Sequence, residues 1–271
     1  RTLTAPPEAA LVGLTHVDCP GADEEARIIA LLMRQALETP ALTAALVTPD
    51  RRLARRVAAE LRRWDIEVDD SAGQPLAITP VGALLRLSVD AVVQGFAPVP
   101  LLALLKHPHA ALGYAPATLR RLVRALEIAA LRGPRPSAGV AGLRAALKGD
   151  DRELNALLDR LDRAAAPLRA CTDRAKVSFS EMLSAHVQWA EALAVSDTER
   201  GPARLWAGEA GEAAAAFVSE ALDAAATLSE IAPQSYPGLI DGLLAERVVR
   251  PRYGAHPRLF VWGLLEARLQ Q

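Results

Sequence analysis

The sequence is poor in residues on which several classes of function depend. Aromatic residues make up only 4% of its 271 positions, so a surface that stacks the bases of single-stranded nucleic acid is poorly supplied. The two cysteines, Cys19 and Cys171, stand far apart and lack metal-site spacing, which favours a reducing compartment, and we expect the cytoplasm. No apolar run reaches the ~18 residues of a membrane-spanning helix, so we expect no membrane partner.

Positive and negative charges are almost balanced. The chain has 31 lysines and arginines against 32 aspartates and glutamates, a formal net charge of −1. Domains that bind nucleic acid over much of their surface are usually strongly basic. Any contact with DNA must therefore come from a local cationic patch.

Recognisable catalytic motifs are also missing. The phosphate-binding pattern G-x-x-x-x-G-K-[ST] does not occur, and no Ser-His-Asp, Cys-His or HExxH arrangement can be read from the chain. His107 and His109 flank a proline, but they have no further metal ligands nearby, and a turn at a helix end is the favoured interpretation. We therefore expect no catalytic residue, no metal site and no cofactor in this chain.

The most informative stretch runs from Thr43 to Gly73. Ala44–Val47 is a continuous apolar run, which predicts a strand buried on both faces. Thr48 is expected to cap the next helix, with Pro49 at its first position. A buried helical stripe is predicted from apolar residues at helical spacing: Leu53, Val57, Leu61 and Trp64.

A second strand is predicted around Ile66 and Val68, where apolar residues alternate with charged ones. The helix N-terminus would then lie at the carboxyl end of the first strand, a position where open α/β sheets often bind anions. A further strand at 9–17 and a helix at 81–93 extend the alternation. Residues 1–95 are therefore predicted to form an α/β unit with a parallel sheet.

Helical periodicity dominates the rest of the chain. Residues 96–235 carry successive helical patterns separated by Pro and Gly clusters, which predicts a helical subdomain. The run Leu259–Trp262 predicts a return to the sheet within residues 236–271. The expected fold class is α/β with a parallel sheet interrupted by a large all-α insertion. Because the chain starts at Arg1 and stops at Gln271 within a helical pattern, we expect it to be an internal fragment.

Three segments resemble one family: LVTPDRRLARRVAAELRRWDIEVDDSAG, LLKHPHAALGY and HPRLFVWGLLEARLQQ. They are similar to the AddB-type subunit of the bacterial AddAB helicase–nuclease, which acts in double-strand break repair and recombination. The resemblance implies a superfamily 1 helicase-like body, like the second lobe of a P-loop NTPase, with an inserted helical subdomain and an inactivated motor. It also implies DNA, as a single strand or duplex end, and an AddA-type helicase–nuclease subunit as partners. The family's nuclease centre would lie beyond Gln271.

Two departures from active motors support the loss of ATP hydrolysis. Ala54 falls where active motors tend to carry an arginine, and the pattern Trp262–Arg268 lacks their lysine-glycine-leucine-glutamate run. We therefore expect no enzymatic activity in this chain, although the parent complex resembles an ATP-dependent helicase–exonuclease.

Arginines are the candidate DNA-binding residues, because guanidinium groups match phosphate geometry without reading sequence. The candidates are Arg51, Arg52, Arg55, Arg56, Arg63, Arg250, Arg252 and Arg258. The alternative for the five arginines between 51 and 63 is a solvated helix face paired with Glu60, Asp65 or other neighbours. The alternative for Arg250, Arg252 and Arg258 is a surface linker. At the level of function, the alternative is a scaffold that docks a partner subunit without touching DNA.

Overall fold

The computed structural model describes residues 11–70, 73–147, 149–225, 228–250 and 256–269, with the backbone alone at 69 and 70. Most of these residues are helical. The helices are α1 (Ala22–Ala36), α2 (Arg51–Leu61), α3 (Pro80–Val93), α4 (Pro98–Leu105), α5 (Pro116–Leu126), α6 (Gly139–Ala146), α7 (Arg152–Thr172), α8 (Phe179–Ala194), α9 (Gly201–Leu205), α10 (Gly208–Ala224), α11 (Tyr236–Glu246) and α12 (Leu264–Ala267). The strands are β1 (Ala44–Val47), β2 (Asp69–Asp70), β3 (Gln74–Pro75), β4 (Val248–Val249) and β5 (Leu259–Trp262).

The chain divides into two compact units. The α/β unit comprises Arg1–Ala72 and Pro251–Gln271, and the helical unit comprises Gly73–Arg250. The sequence placed these junctions near 95 and 235, whereas the structure places both α3 and α11 in the helical unit. The reason is that the apolar sides of α3 and α11 are buried in the helical unit's own core.

A three-stranded, fully parallel sheet forms the centre of the α/β unit. Its strand order is β1-β5-β2, with Ala44 opposite Leu259 and Asp69 opposite Phe260. Ala26, Met33 and Leu259 belong to the core that α1 and α2 form with the sheet. Strands from both sides of a large helical segment thus share one parallel sheet, as the sequence predicted.

Two strand predictions in this unit are wrong in detail. Residues 11–17 are not a strand, because Leu14 N–H donates to the Leu11 carbonyl across 3.1 Å and Gly13 has a φ of 85°, which together make a turn. The strand was predicted over residues 9–17, and residues 9 and 10 lie outside the described residues. The strand expected around Ile66 and Val68 is displaced to β2, while those two side chains pack against the core from irregular backbone.

The helical unit is built around large apolar side chains. Phe96, Phe179, Trp189 and Tyr236 are almost completely buried in its core. The predicted helices of residues 96–235 are present, and α9 and α11 were not anticipated. Among the described helices, none combines the length and the apolar character that crossing a bilayer requires.

Candidate nucleic-acid interface

Helix α2 presents most of the candidate arginines. It begins four residues after β1, on the side of the sheet where the carboxyl ends of β1 and β5 lie. Thr48 N–H donates there to the Trp262 carbonyl across 3.1 Å. Its buried side is made of Leu53, Ala54, Val57 and Leu61. Because these residues face the core, the arginines between them face outward.

The N-terminus of α2 is capped by Asp50, not by Thr48. The Asp50 carboxylate accepts hydrogen bonds from the amides of Arg52 at 2.7 Å and Leu53 at 3.3 Å. These two bonds, and then the nearby guanidiniums, lower the pKa of Asp50. Thr48 instead accepts from the Asp50 amide at 3.0 Å, so the predicted cap and the placement of Pro49 in the helix are wrong.

The Asp50 cap disfavours anion binding at the N-terminus of α2. The amides of Arg52 and Leu53 already donate to a carboxylate of the chain itself. A phosphate at this helix end would meet the negative charge of Asp50 rather than unsatisfied donors. Any DNA contact by α2 must therefore come from side chains on its outer surface.

Three of the predicted arginines form such a surface. Arg52, Arg55 and Arg56, together with Ala59, line a shallow and largely open surface groove on α2. The spacing of three and four residues places the three guanidinium-bearing side chains on one side of the helix. We call Arg52, Arg55 and Arg56 the arginine stripe.

The arginine stripe is exposed and only partly neutralised. Arg52 and Arg55 are exposed and form no ion pair within the part of the chain that the structure describes. Arg56 Nε lies 3.5 Å from Asp23 Oδ1, with side-chain exposures of 48% and 73%. Exposed pairs of this kind contribute only about 0–1 kcal/mol, so a phosphate can replace the carboxylate at little cost.

Arg63 follows the alternative interpretation more closely. Its Nη1 donates to Glu60 Oε2 at 2.8 Å, and the other oxygen of Glu60 lies 3.9 Å from Arg27. This pair is on the surface, so it does not exclude contact with DNA. Arg51, in the first turn of α2, is half-buried and lies off the groove.

The remaining predicted residues are Arg250, Arg252 and Arg258. Arg258 donates to the carbonyls of Thr39 at 2.9 Å and Leu37 at 3.0 Å, and so it ties the end of α1 to the start of β5. Arg250 is exposed but belongs to the helical unit. Arg252 lies outside the described residues. Arg258 therefore has a structural role, and its assignment to DNA remains a prediction.

Trp64 was predicted to be buried, but its side chain is 38% exposed. The α-helix ends at Leu61, and the next three residues form a 3-10 turn that stops at Asp65 in the left-handed conformation, with a φ of 55°. The tighter turn rotates Trp64 away from the buried side of α2. Its ring instead lies 5.7 Å from the guanidinium of Arg34.

A half-exposed apolar face of the sheet was not anticipated. The strand β1 was expected to be buried on both faces, but Val47 is 45% exposed and Ala45 is exposed as well. Phe260 and Trp262, their partners on β5, are half-buried, with ring centroids 5.2 Å apart and planes at 20°. Parallel sheets are usually covered on both faces, so these four residues, which we call the open sheet face, are a second candidate surface.

No metal centre is found in the part of the chain that the structure describes, since no three His, Cys, Asp or Glu side chains there are grouped to hold an ion. The rings of His107 and His109 stack with centroids 5.7 Å apart, and the His109 amide donates to His107 Nδ1. Burial, and then the neighbouring His109, lower the pKa of His107 to about 4. The pair closes a turn after α4, as the sequence favoured.

Comparison with known proteins assigns no family. No protein-family model matches the chain, and no curated protein is significantly similar to it. A function is therefore proposed from the chain's own residues and geometry, together with the segment resemblance.

Proposed function

We propose that this chain is the DNA-binding and structural part of an AddB-type subunit of a double-strand break repair helicase–nuclease. It acts in the cytoplasm and does not itself catalyse a reaction. The observation that carries the proposal is the arginine stripe, exposed on a helix that follows a strand of a parallel sheet.

The contact is sequence-independent. Guanidinium forks match phosphate oxygens and fix a protein on the nucleic-acid backbone without reading bases. The α-helical rise of ~1.5 Å per residue spaces Arg52, Arg55 and Arg56 over about 6 Å of helix axis, which allows more than one phosphate of one strand to be contacted. The near-neutral net charge means that the interaction must come from local patches such as this one.

The inactive motor is a further part of the proposal. In the helicase-like lobe proposed here, the position of Ala54 would supply a cation to the nucleotide in an active relative. Here the position is an alanine on the buried side of α2, 1% exposed, and it offers no cation. The lobe then holds DNA for an AddA-type partner, which carries the working motor.

A salt titration tests the proposal. We expect duplex and single-stranded oligonucleotides to bind more weakly as salt rises, and replacing the arginine stripe by glutamine to reduce the slope of log K against log salt by about 2 to 3. The control variant replaces three exposed arginines of the helical unit: Arg120, Arg124 and Arg135. It removes the same number of positive charges and should leave most of the salt dependence of DNA binding unchanged. Folded protein that binds no DNA at low salt would contradict the proposal.

The open sheet face favours the second candidate, a scaffold for the partner subunit. Its four apolar side chains would suit a hydrophobic surface on an AddA-type protein. Changing Val47, which is already 45% exposed, to Glu should then prevent assembly while DNA affinity stays unchanged. If replacing the arginine stripe by glutamine instead prevents assembly and leaves DNA affinity unchanged, the partner subunit docks through α2.

A further inference from the structure

The arginine stripe has an acidic neighbour on another helix. Asp23 lies in the first turn of α1, and its Oδ1 is 3.5 Å from Nε of Arg56. Arg52 and Arg55 form no ion pair among the described residues, although the Asp50 carboxylate is near enough to Arg52 and Arg56 for their charges to help lower its pKa. One of the three guanidiniums on the groove is therefore already engaged by a carboxylate of the same unit.

We infer that Asp23 is an internal competitor for phosphate at Arg56, and that it lowers the affinity of the arginine stripe for DNA. The inference rests on the proposed function, since it concerns the same surface. Without DNA, the carboxylate neutralises the guanidinium and restricts its position. With DNA, a phosphate must displace it, and the released carboxylate remains close to the negatively charged backbone.

The chain can lose this carboxylate without losing α1. The side chain of Asp23 is 73% exposed, and the N-cap position of α1 is Gly21, which makes no side-chain cap. The buried contacts of the helix come from Ala26, Ala30 and Met33, which follow Asp23 along the same side of α1, and Asp23 is the exposed first-turn end of that side. Exposed pairs contribute little to stability, so Asp23→Asn is expected to fold normally.

A matched control lies beside it. Glu24 is in the same first turn and is exposed, and no ion pair joins it to a described arginine. Glu24→Gln therefore removes the same charge and the same favourable interaction with the helix dipole. Of the two substitutions, Asp23→Asn alone frees Arg56, whereas the Glu24 carboxylate lies beside the N-cap residue Gly21.

The experiment measures the affinity of a duplex oligonucleotide at low salt for five forms: wild type, Asp23→Asn, Glu24→Gln, Arg56→Gln and the double variant Asp23→Asn/Arg56→Gln. We expect Asp23→Asn to bind about two- to fivefold more tightly than wild type, the range that an exposed pair allows, and Glu24→Gln to show a smaller gain. In the Arg56→Gln background, the gain from Asp23→Asn should fall to that of Glu24→Gln.

The outcomes separate the two proposals. If wild type binds DNA but Asp23→Asn is no tighter than Glu24→Gln, or keeps its extra gain without Arg56, the competitor role is wrong and the interface stands. If folded wild type, checked by circular dichroism, binds no DNA, the proposed function and the competitor role both fall.

Discussion

The hydroxyl of Tyr236 lies 3.1 Å from Nδ1 of His186, and both side chains are almost completely buried in the helical unit. Nε2 of the same ring lies 2.8 Å from the Leu85 carbonyl and 2.9 Å from Ser88 Oγ. Because a carbonyl oxygen can only accept, Nε2 carries the proton and Nδ1 accepts from the tyrosine. The neutral imidazole thus joins α3, α8 and α11 with its hydrogen-bonding positions satisfied.

This arrangement makes the helical unit sensitive to acid. Burial lowers the pKa of His186 to about 4, against the opposing effect of the Leu85 carbonyl, whereas the unfolded ring titrates near 6.5. The stabilisation is complete above pH 6.5 and is lost as pH falls towards 4. We expect a loss of as much as about 3 kcal/mol, measured by urea unfolding with circular dichroism at several pH values.

The control must account for His107 and His109, since burial lowers the pKa of both rings in the same direction. A His186→Gln variant should lose the part of the pH dependence between 6.5 and 4 that this ring contributes, and keep the part due to the other two histidines. A variant with both other histidines changed to Gln should remain acid-sensitive through His186. The assignment to His186 is contradicted if the first variant remains as acid-sensitive as wild type.

Removing the tyrosine hydroxyl should also destabilise the helical unit. In Tyr236→Phe, Nδ1 of His186 loses its donor within a site from which water is excluded, and we expect a cost of about 1–2 kcal/mol at pH 7.5. Tyr114→Phe is the matched control, because that ring is half-buried under the Arg160 guanidinium, 4.1 Å from its centroid. Equal costs for the two variants would argue against the buried hydrogen bond.

The cap of α2 can be tested by comparing Asp50 with Thr48. Asp50→Ala should destabilise the α/β unit, because the amides of Arg52 and Leu53 lose their acceptor. Asp50→Asn should retain most of the stability, and Thr48→Ala should cost less than Asp50→Ala. Hydrogen exchange at the Arg52 and Leu53 amides measures the local effect. A larger cost at Thr48 would restore the cap predicted from the sequence.

Arg258→Lys should separate a structural role from a DNA contact. Lysine keeps the charge but cannot donate to the Leu37 and Thr39 carbonyls with the geometry of a guanidinium fork. We expect the α/β unit to lose about 1–2 kcal/mol of stability, with DNA affinity unchanged within twofold. Weaker DNA binding with unchanged stability would instead place Arg258 in the interface.

The sequence predicted what depends on local periodicity. Ala44–Val47 and Leu259–Trp262 are strands at the expected residues, because short apolar runs with turn residues on both sides leave few alternatives. The buried residues Leu53, Val57 and Leu61 also follow from spacing alone.

Features set by distant partners or by competing neighbours were not predictable. Thr48 and Asp50 are both good caps, and only the path of the backbone after β1 decides between them. The partners of Arg258 lie more than two hundred residues earlier in the chain, and the engagement of Arg56 depends on how α1 packs beside α2. Hydrophobicity alone could not reveal whether a second layer covers the strand ending at Val47.

The central position of β5 has a consequence for the order of folding. Its neighbours β1 and β2 are synthesised roughly 215 and 190 residues earlier and cannot form the sheet before it, because they do not pair with each other. Before β5 is made, Gln74 and Pro75 can pair with Val249 and Val248, which brings the first and last residues of the helical unit side by side. For the connection between β2 and β5, that pairing shortens the loop that must be closed by more than tenfold and lowers the entropy cost of closing it by about 2 kcal/mol. During synthesis, the helical unit is therefore expected to fold before the three-stranded sheet of the α/β unit is complete.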